Sequence, residues 1–221
     1  YMMEDEIKTI KAYLKQLAGG DNADKEILQS FEDKFVKLIE LTQTAIAGTT
    51  RIKDIVEDLR TFARLDSARR SKVDITELIT TTVHLVKTQY SSIEIETIFK
   101  YSPLFNCFPS KINQVFMNII VNACQAILTT QKTANSNEGK LLISSIQSGD
   151  ELQIIFKDNG CGMDTETLQR VFEPFFTTKD VGSGTGLGMA ISFGIVEEHG
   201  GHIEIESVVN EGTTITIAFN L

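Results

Sequence analysis

Residues Ile112 to Gln131 read Ile-Asn-Gln-Val-Phe-Met-Asn-Ile-Ile-Val-Asn-Ala-Cys-Gln-Ala-Ile-Leu-Thr-Thr-Gln, twenty positions without a charge. A run of that length could span a membrane. Three Asn and two Gln between Asn113 and Gln125 make it too polar for hydrocarbon. Helical spacing explains it better. Val115, Ile119, Ala123 and Ala126 share one face, with Phe116, Ile120 and Ile127 beside them. Gln114, Asn118, Asn122 and Gln125 follow at steps of four, four and three and form one polar stripe. A solvated face would carry Lys and Glu. A neutral carboxamide stripe beside an apolar face predicts a half-buried helix. Two readings of it stay open here: a satisfied internal amide network, or hydrogen-bonding groups offered to a polar ligand.

The rest of the composition sets bounds. The chain has 221 residues, room for one or two domains, and its 42% hydrophobic content is enough to bury a core. Net charge is -9, which argues against nucleic acid or an anionic membrane as the main partner. Cys107, Cys124 and Cys161 are odd in number and lack metal-ligand spacing, so they read as reduced thiols in a cytoplasmic setting. No stretch reads as a signal peptide or a transmembrane segment, although a longer parent could still sit in a membrane.

Upstream the pattern is helical. Met3, Ile7, Ile10, Leu14 and Leu17 form one seam, broken at Gly19-Gly20-Asp21-Asn22. A second seam runs Phe35, Leu38, Thr42, Ala45, Thr49, Ile52, Val56, Leu59 and Ala63 in heptads. At 1.5 Å per residue the second helix spans roughly 60 Å and the first about 25 Å. An antiparallel hairpin therefore leaves the seam beyond Thr42 uncovered. The expectation is a hairpin over 1–66, cut short at its first helix, that dimerises into a four-helix bundle. Residues 67–72 read as a polar linker.

From Val73 the pattern is mixed. Ile75 to Tyr90 reads as a helix, Ile93 to Phe99 as a strand by its period-two alternation, and Leu104 to Phe108 as a short strand. Ser110 is expected to cap the stripe helix. Leu141–Ile146 with Glu151–Lys157, and Gly201–Ser207 with Thr213–Phe219, read as hairpins, and Gly186 to Glu198 as a helix. Together they predict a mixed, largely antiparallel sheet with helices on one face, an α/β sandwich. Two glycine runs interrupt it, Asp158-Asn-Gly-Cys-Gly-Met163 after a strand and Gly182-Ser-Gly-Thr-Gly-Leu-Gly-Met189 before a helix. Bare amides at a helix start suit an anion. Neither run is a phosphate-binding P-loop, and the second lacks the preceding strand a dinucleotide fingerprint needs.

In order, Asn118-Ile-Ile-Val-Asn122-Ala, Asp158-x-Gly160-x-Gly162, Phe172-Glu-Pro-Phe-Phe-Thr-Thr-Lys179, Gly184-Thr-Gly-Leu-Gly188 and Gly212-Thr213 resemble the N, G1, F, G2 and G3 boxes of sensor histidine kinases. Those kinases belong to the Bergerat-fold ATPase/kinase superfamily. The resemblance covers roughly Val73 to Leu221, and the helical hairpin looks like part of the dimerisation and phosphotransfer domain. It implies an α+β protein that binds ATP and Mg²⁺. Asp158 would accept from the adenine amino group, Gly160 and Gly162 would let the backbone pass the base, and Thr213 would support Asp158. Asn122 would coordinate Mg²⁺ through its amide oxygen, with Asn118 near the phosphates. Gly184, Gly186, Leu187 and Gly188 would offer amides to the phosphates, and Lys179 a point charge. Phe172, Phe175 and Phe176 would anchor a lid between Thr177 and Gly184. Met163, Phe175 and Thr185 complete the implied nucleotide contacts.

Hydrolytic relatives such as gyrase, MutL-like and Hsp90-like proteins carry a water-activating Glu one turn before the metal Asn. Asn118 stands there and cannot be a general base. The implied activity is phosphoryl transfer to a His, then to a response-regulator Asp. The alternative is an ATP-sensing dimerisation module without transfer. The acceptor position has no match in His84, His199 or His202, so no catalytic residue is assigned in this chain and the acceptor is expected upstream of Tyr1.

Overall fold

The computed structural model describes residues 69–134, 139–179 and 184–221, together with 29, 31, 33–46, 48–49 and 53. The chain divides into two compact units, Tyr1–Asp54 and Ile55–Leu221. In the first, the described residues of 29–53 are helical, as the heptads predict. Thr42, Thr44 and Thr49 donate their hydroxyls to the carbonyls four residues back, at 2.7 to 2.9 Å, which satisfies them within the helix. Leu38, Leu41 and Ile46 are exposed in the single chain. The first seam, the Gly19–Asn22 break and residues 54–68 lie outside the described residues.

In the second unit, five strands among the described residues form one sheet in the order β2 (Ile93–Phe99), β4 (Gly139–Ser148), β5 (Glu151–Asp158), β7 (Gly212–Asn220) and β6 (Gly201–Val208). Only β2 with β4 is parallel. A parallel pair needs a long crossover, and here it contains the stripe helix, α2 (Pro109–Ala134). The short strand after residue 103 is β3 (Leu104–Cys107). It leaves this sheet and pairs antiparallel with β1 (Ser71–Asp74). Ser71 and Lys72, expected in the linker, are therefore strand residues, because β3 offers them a hydrogen-bonding edge. Asp74 then caps α1 (Ile75–Gln89), accepting from the Thr76 amide at 2.8 Å.

Helix α2 has the two faces its spacing predicts. Val115, Phe116, Ile119, Ile120 and Ile127 are fully buried in a core shared with Ile143, Ile154, Phe156 and Ile217. Each such side chain contributes about 1.5–3 kcal/mol, so this face fixes how the helix rolls on the sheet. Gln114, Asn118, Asn122 and Gln125 are half-buried along one edge. By length and composition alone Pro109–Gln131 could cross a membrane, but in the fold it is the central core helix. Pro109, not Ser110, opens it: Pro suits the first helical position because its missing N–H would go unpaired there anyway. A short helix that spacing did not reveal, α3 (Thr165–Arg170), is capped by Asp164, which accepts from the Thr167 amide at 2.8 Å. The last helix, α4 (Gly188–Glu198), starts two residues later than predicted, because Gly186 has φ +69 and cannot join a right-handed helix. Cys107 and Cys124 are buried free thiols, pushed up to about 11 and about 12 chiefly by burial.

At the end of α4, His199 Nε2 accepts the Phe108 N–H at 3.0 Å, and Nδ1 lies 2.6 Å from the Ile195 carbonyl. That pair of contacts requires the proton on Nδ1 and a neutral ring. Burial first, with Arg70 and Lys111 nearby, lowers its pKa below 6.5, against the pull of Ile195 and Glu198. Protonation in the folded state would cost the Phe108 contact. His199 thus stabilises the fold fully above pH 6.5, and that stability falls away as pH drops below it. Melts of the His199→Gln variant, subtracted from native ones, should show a native loss that starts near pH 6.5 and grows as pH falls. A pH-independent difference would remove His199 as the titrating group.

Candidate functional site

One end of the site is the last residue of β5. Asp158 stands opposite Thr213 on β7 and Leu141 on β4 and is 7% exposed. Its Oδ1 accepts the Gly160 N–H at 2.8 Å, and the Thr213 backbone also donates to it. Burial nevertheless pushes its pKa up to about 6. At neutral pH this is a charged, poorly solvated acceptor, which a ligand's N–H donor would satisfy. The Thr213 hydroxyl pairs with Ser207 Oγ at 2.9 Å, and Ser207 in turn accepts the Met163 N–H at 2.8 Å. Thr213 thus supports Asp158 through its backbone. Ser207, which sequence reading missed, joins β6 and β7 to the first glycine loop; its only signal is its register opposite Thr213.

The glycines of the first loop are required by the protein itself. A Cβ at Gly160 would lie 2.7 Å from the Ala126 Cβ, so that loop rests on α2. Gly162 has φ +64, and a Cβ there would lie 2.0 Å from the Val208 carbonyl oxygen. The sequence assigned both to close approach by a ligand; their first duty is close approach by α2 and by the end of β6.

The other end lies along the carboxamide stripe. Asn118 Nδ2 donates to the Gly188 carbonyl at 3.0 Å and to Ser192 Oγ at 3.2 Å, tying α2 to the start of α4. Asn122 Oδ1 accepts the Lys179 ammonium at 2.9 Å, and Gln125 Oε1 accepts it too. Burial of the ammonium lowers the Lys179 pKa, partly offset by Cys161. Helix α4 starts with no side-chain cap and no acidic residue in its first turn, so its amides favour an anion. The Leu187 N–H donates to Thr185 Oγ1 at 3.3 Å.

Of the three expected lid anchors, Phe172 packs on Phe193 with centroids 5.1 Å apart, and Phe176 lies under Arg170 at 4.3 Å. The Phe175 ring is 64% exposed, so it does not anchor by packing. Its backbone does: the Phe175 N–H donates to the Gly186 carbonyl at 2.9 Å, and a Cβ on Gly186 would lie 2.5 Å from the Phe175 carbonyl carbon. Residues 180–183, within the expected lid, lie outside the described residues.

Helix α2 is therefore the ruler of the site. Gly188 meets it at Asn118, Lys179 at Asn122 and Gln125, and Gly160 at Ala126. An acceptor for a base, neutral hard oxygens, an ammonium and open helix amides fit a nucleotide and a hard divalent cation. Among the described residues no three His, Cys, Asp or Glu side chains cluster to hold a metal alone. A cation here would take most of its ligands from phosphates and water.

Residues 108–221 match the family described as histidine kinase-, DNA gyrase B-, and HSP90-like ATPase. The chain is 35% identical over 171 residues to the signal transduction histidine-protein kinase AtoS of Escherichia coli K12, covering 75% of this chain and 26% of that protein. It is 31% identical over 181 residues to the sensor histidine kinase ZraS of the same strain, covering 80% and 37%. The chain thus spans well under half the length of these relatives. Among solved structures, the nucleotide-free catalytic domain of histidine kinase ThkA superposes with TM-score 0.59 at 26% identity, covering 69% of this chain and 95% of that one. Full-length ShkA, in complex with AMPPNP, superposes with TM-score 0.63 at 18% identity over 99% of this chain and 44% of that one, a likeness of fold alone. The chain belongs to the family of histidine kinase-, DNA gyrase B- and HSP90-like ATPases, and the relatives it resembles are sensor histidine kinases.

Proposed function

We propose that the chain is the catalytic core of a two-component sensor kinase. It binds ATP with Mg²⁺ held by Asn122, and transfers the γ-phosphoryl to a His outside this sequence, on the first hairpin helix. The bond from phosphorus to the ADP oxygen breaks, a bond to an imidazole nitrogen forms, and ADP leaves. A response-regulator Asp then takes the phosphoryl. The observation that carries this reading is Asn118. By the resemblance it stands where hydrolytic relatives carry their Glu; its amide, held by Gly188 and Ser192, is not basic enough to take a proton from water, so water is not activated and the phosphoryl is kept for a protein nucleophile.

The three histidines support an acceptor elsewhere. His84 is exposed on α1, His199 is held neutral between two backbone groups, and His202 is exposed on the edge strand β6. The exposed Leu38, Leu41 and Ile46 support dimerisation through the hairpin; that this is a cytoplasmic segment of a longer receptor is part of the same proposal. Asn122→Asp is expected to abolish Mg²⁺-dependent nucleotide binding; unchanged binding would remove Asn122 as the metal ligand. Transfer is tested with γ-labelled Mg-ATP on this chain and on one extended by about thirty residues upstream, long enough to restore some eight helical turns. Base-stable, acid-labile label only on the extended chain is the expected result. Nucleotide binding without label on either would favour the ATP-sensing module.

A further inference from the structure

Gln125 belongs to the carboxamide stripe, yet the kinase resemblance gives it no part. In the structure its Oε1 and the Asn122 Oδ1 together receive the Lys179 ammonium. Asn122 and Gln125 lie one turn apart on the same edge of α2, so one cation reaches both. The stem of Lys179 passes Gly184 closely: a Cβ there would lie 3.3 Å from its Cδ. One side chain thus pins the end of the Phe172–Lys179 stretch to α2 and passes close to Gly184 of the second glycine run.

A nucleotide-bound metal changes what Asn122 can do. One amide oxygen cannot serve a divalent cation and an ammonium at close range, because the two charges repel. Gln125 is a neutral acceptor, so it holds the ammonium without cancelling its charge. We infer that Gln125 is the positioning residue for Lys179, keeping the ammonium on the face of α2 when the metal takes Asn122 and leaving its charge free for the phosphates. This rests on the reading of the site as one for Mg-nucleotide.

The test compares the unsubstituted chain with Gln125→Leu and Gln125→Glu. The first readout needs no nucleotide: acylation of Lys179 by an N-hydroxysuccinimide ester, measured by peptide mass spectrometry against exposed Lys157. Read in an Asn122→Ala background, which removes the other acceptor as the metal would, Gln125→Leu should raise Lys179 acylation several-fold, while Gln125→Glu, which still accepts the ammonium, should keep it protected. The second readout is affinity. Gln125→Leu should weaken Mg-bound non-hydrolysable ATP about tenfold, on the order of one lost charged hydrogen bond, with adenosine binding unchanged. Gln125→Glu should weaken the ATP analogue as well, because it neutralises Lys179. Unchanged Lys179 acylation when Gln125→Leu is added to Asn122→Ala, with the analogue still bound by the unsubstituted chain, would overturn the inference while leaving the nucleotide site standing. Equal losses for adenosine and analogue would also overturn it, since they indicate only a disturbed helix. No binding of either ligand by the unsubstituted chain, with Lys179 still unmasked by Gln125→Leu in the Asn122→Ala background, would keep the contact and sink the nucleotide reading.

Discussion

Replacing Asp158 by Asn should make the second unit more stable and at the same time cost it its preference for adenine. Asp158 has its pKa raised from 3.8 to about 6 by burial, which outweighs the donors at Gly160 and Thr213. A raised carboxyl pKa means that the folded state holds its proton where the unfolded chain has released it. The cost is absent below pH 3.8, grows as pH rises, and is complete above about 6. At neutral pH it amounts to about 3 kcal/mol, from roughly two pKa units at about 1.4 kcal/mol each. Asparagine keeps an acceptor for Gly160 and carries no charge. Its melting temperature at pH 7.5 should therefore lie several degrees above native, and the two curves should converge near pH 4. Because His199 titrates in the opposite sense below pH 6.5, the difference between variant and native is the quantity to follow. Adenine binding should weaken by about 2–3 kcal/mol, the value of a hydrogen bond to a charged group. Equal stability at pH 7.5 would show that the buried carboxylate is already compensated. Undiminished discrimination between ATP and GTP would show that it does not read the base.

Gly212→Ala should have the opposite effect on stability and the same effect on binding. Gly212 has φ +121, a conformation that residues with a Cβ rarely adopt, and a Cβ there would lie 2.0 Å from the Asp158 carbonyl oxygen. The obstacle is backbone in the central strand β5, so it cannot swing aside as a side chain could. Together the left-handed backbone and the overlap should cost about 3 kcal/mol or more. Relief requires β7 to part from β5 where Thr213 faces Asp158, and nucleotide affinity should fall with stability. A native melting curve for this variant would mean that the turn can be rebuilt without the glycine. By contrast, a Cβ at Gly149 would meet nothing within 4 Å, so substitution there faces only the strain of φ +60.

Much of this was legible in the chain because periodicity survives folding. The alternation in Ile93–Phe99 gave a strand with those bounds, and the carboxamide steps gave a helix whose polar edge is half-buried. What stayed hidden depends on which strand finds which. Nothing in Leu104–Cys107 shows that it leaves the main sheet for Ser71–Asp74. Short α3 has too few turns to show a period, although Asp164 marks its start. The candidate site residues were proposed from their order along the sequence, which does not show their mutual contacts. Lys179 on Asn122 and Gln125, Asn118 on Gly188, and Ser207 between Thr213 and Met163 join residues that the sequence keeps apart. The glycines were read as places where a ligand comes close; at Gly160 and Gly162 the group that comes close in the fold is protein.

The most direct test is an equilibrium titration of this chain with a non-hydrolysable ATP analogue, with and without Mg²⁺, and with the GTP counterpart. One nucleotide per chain, strengthened by Mg²⁺ and favouring adenine over guanine, is the expected result. Absence of saturable binding by a folded chain, or equal affinity for both bases, would contradict the assignment of Asp158 and the carboxamide stripe to a Mg-ATP site.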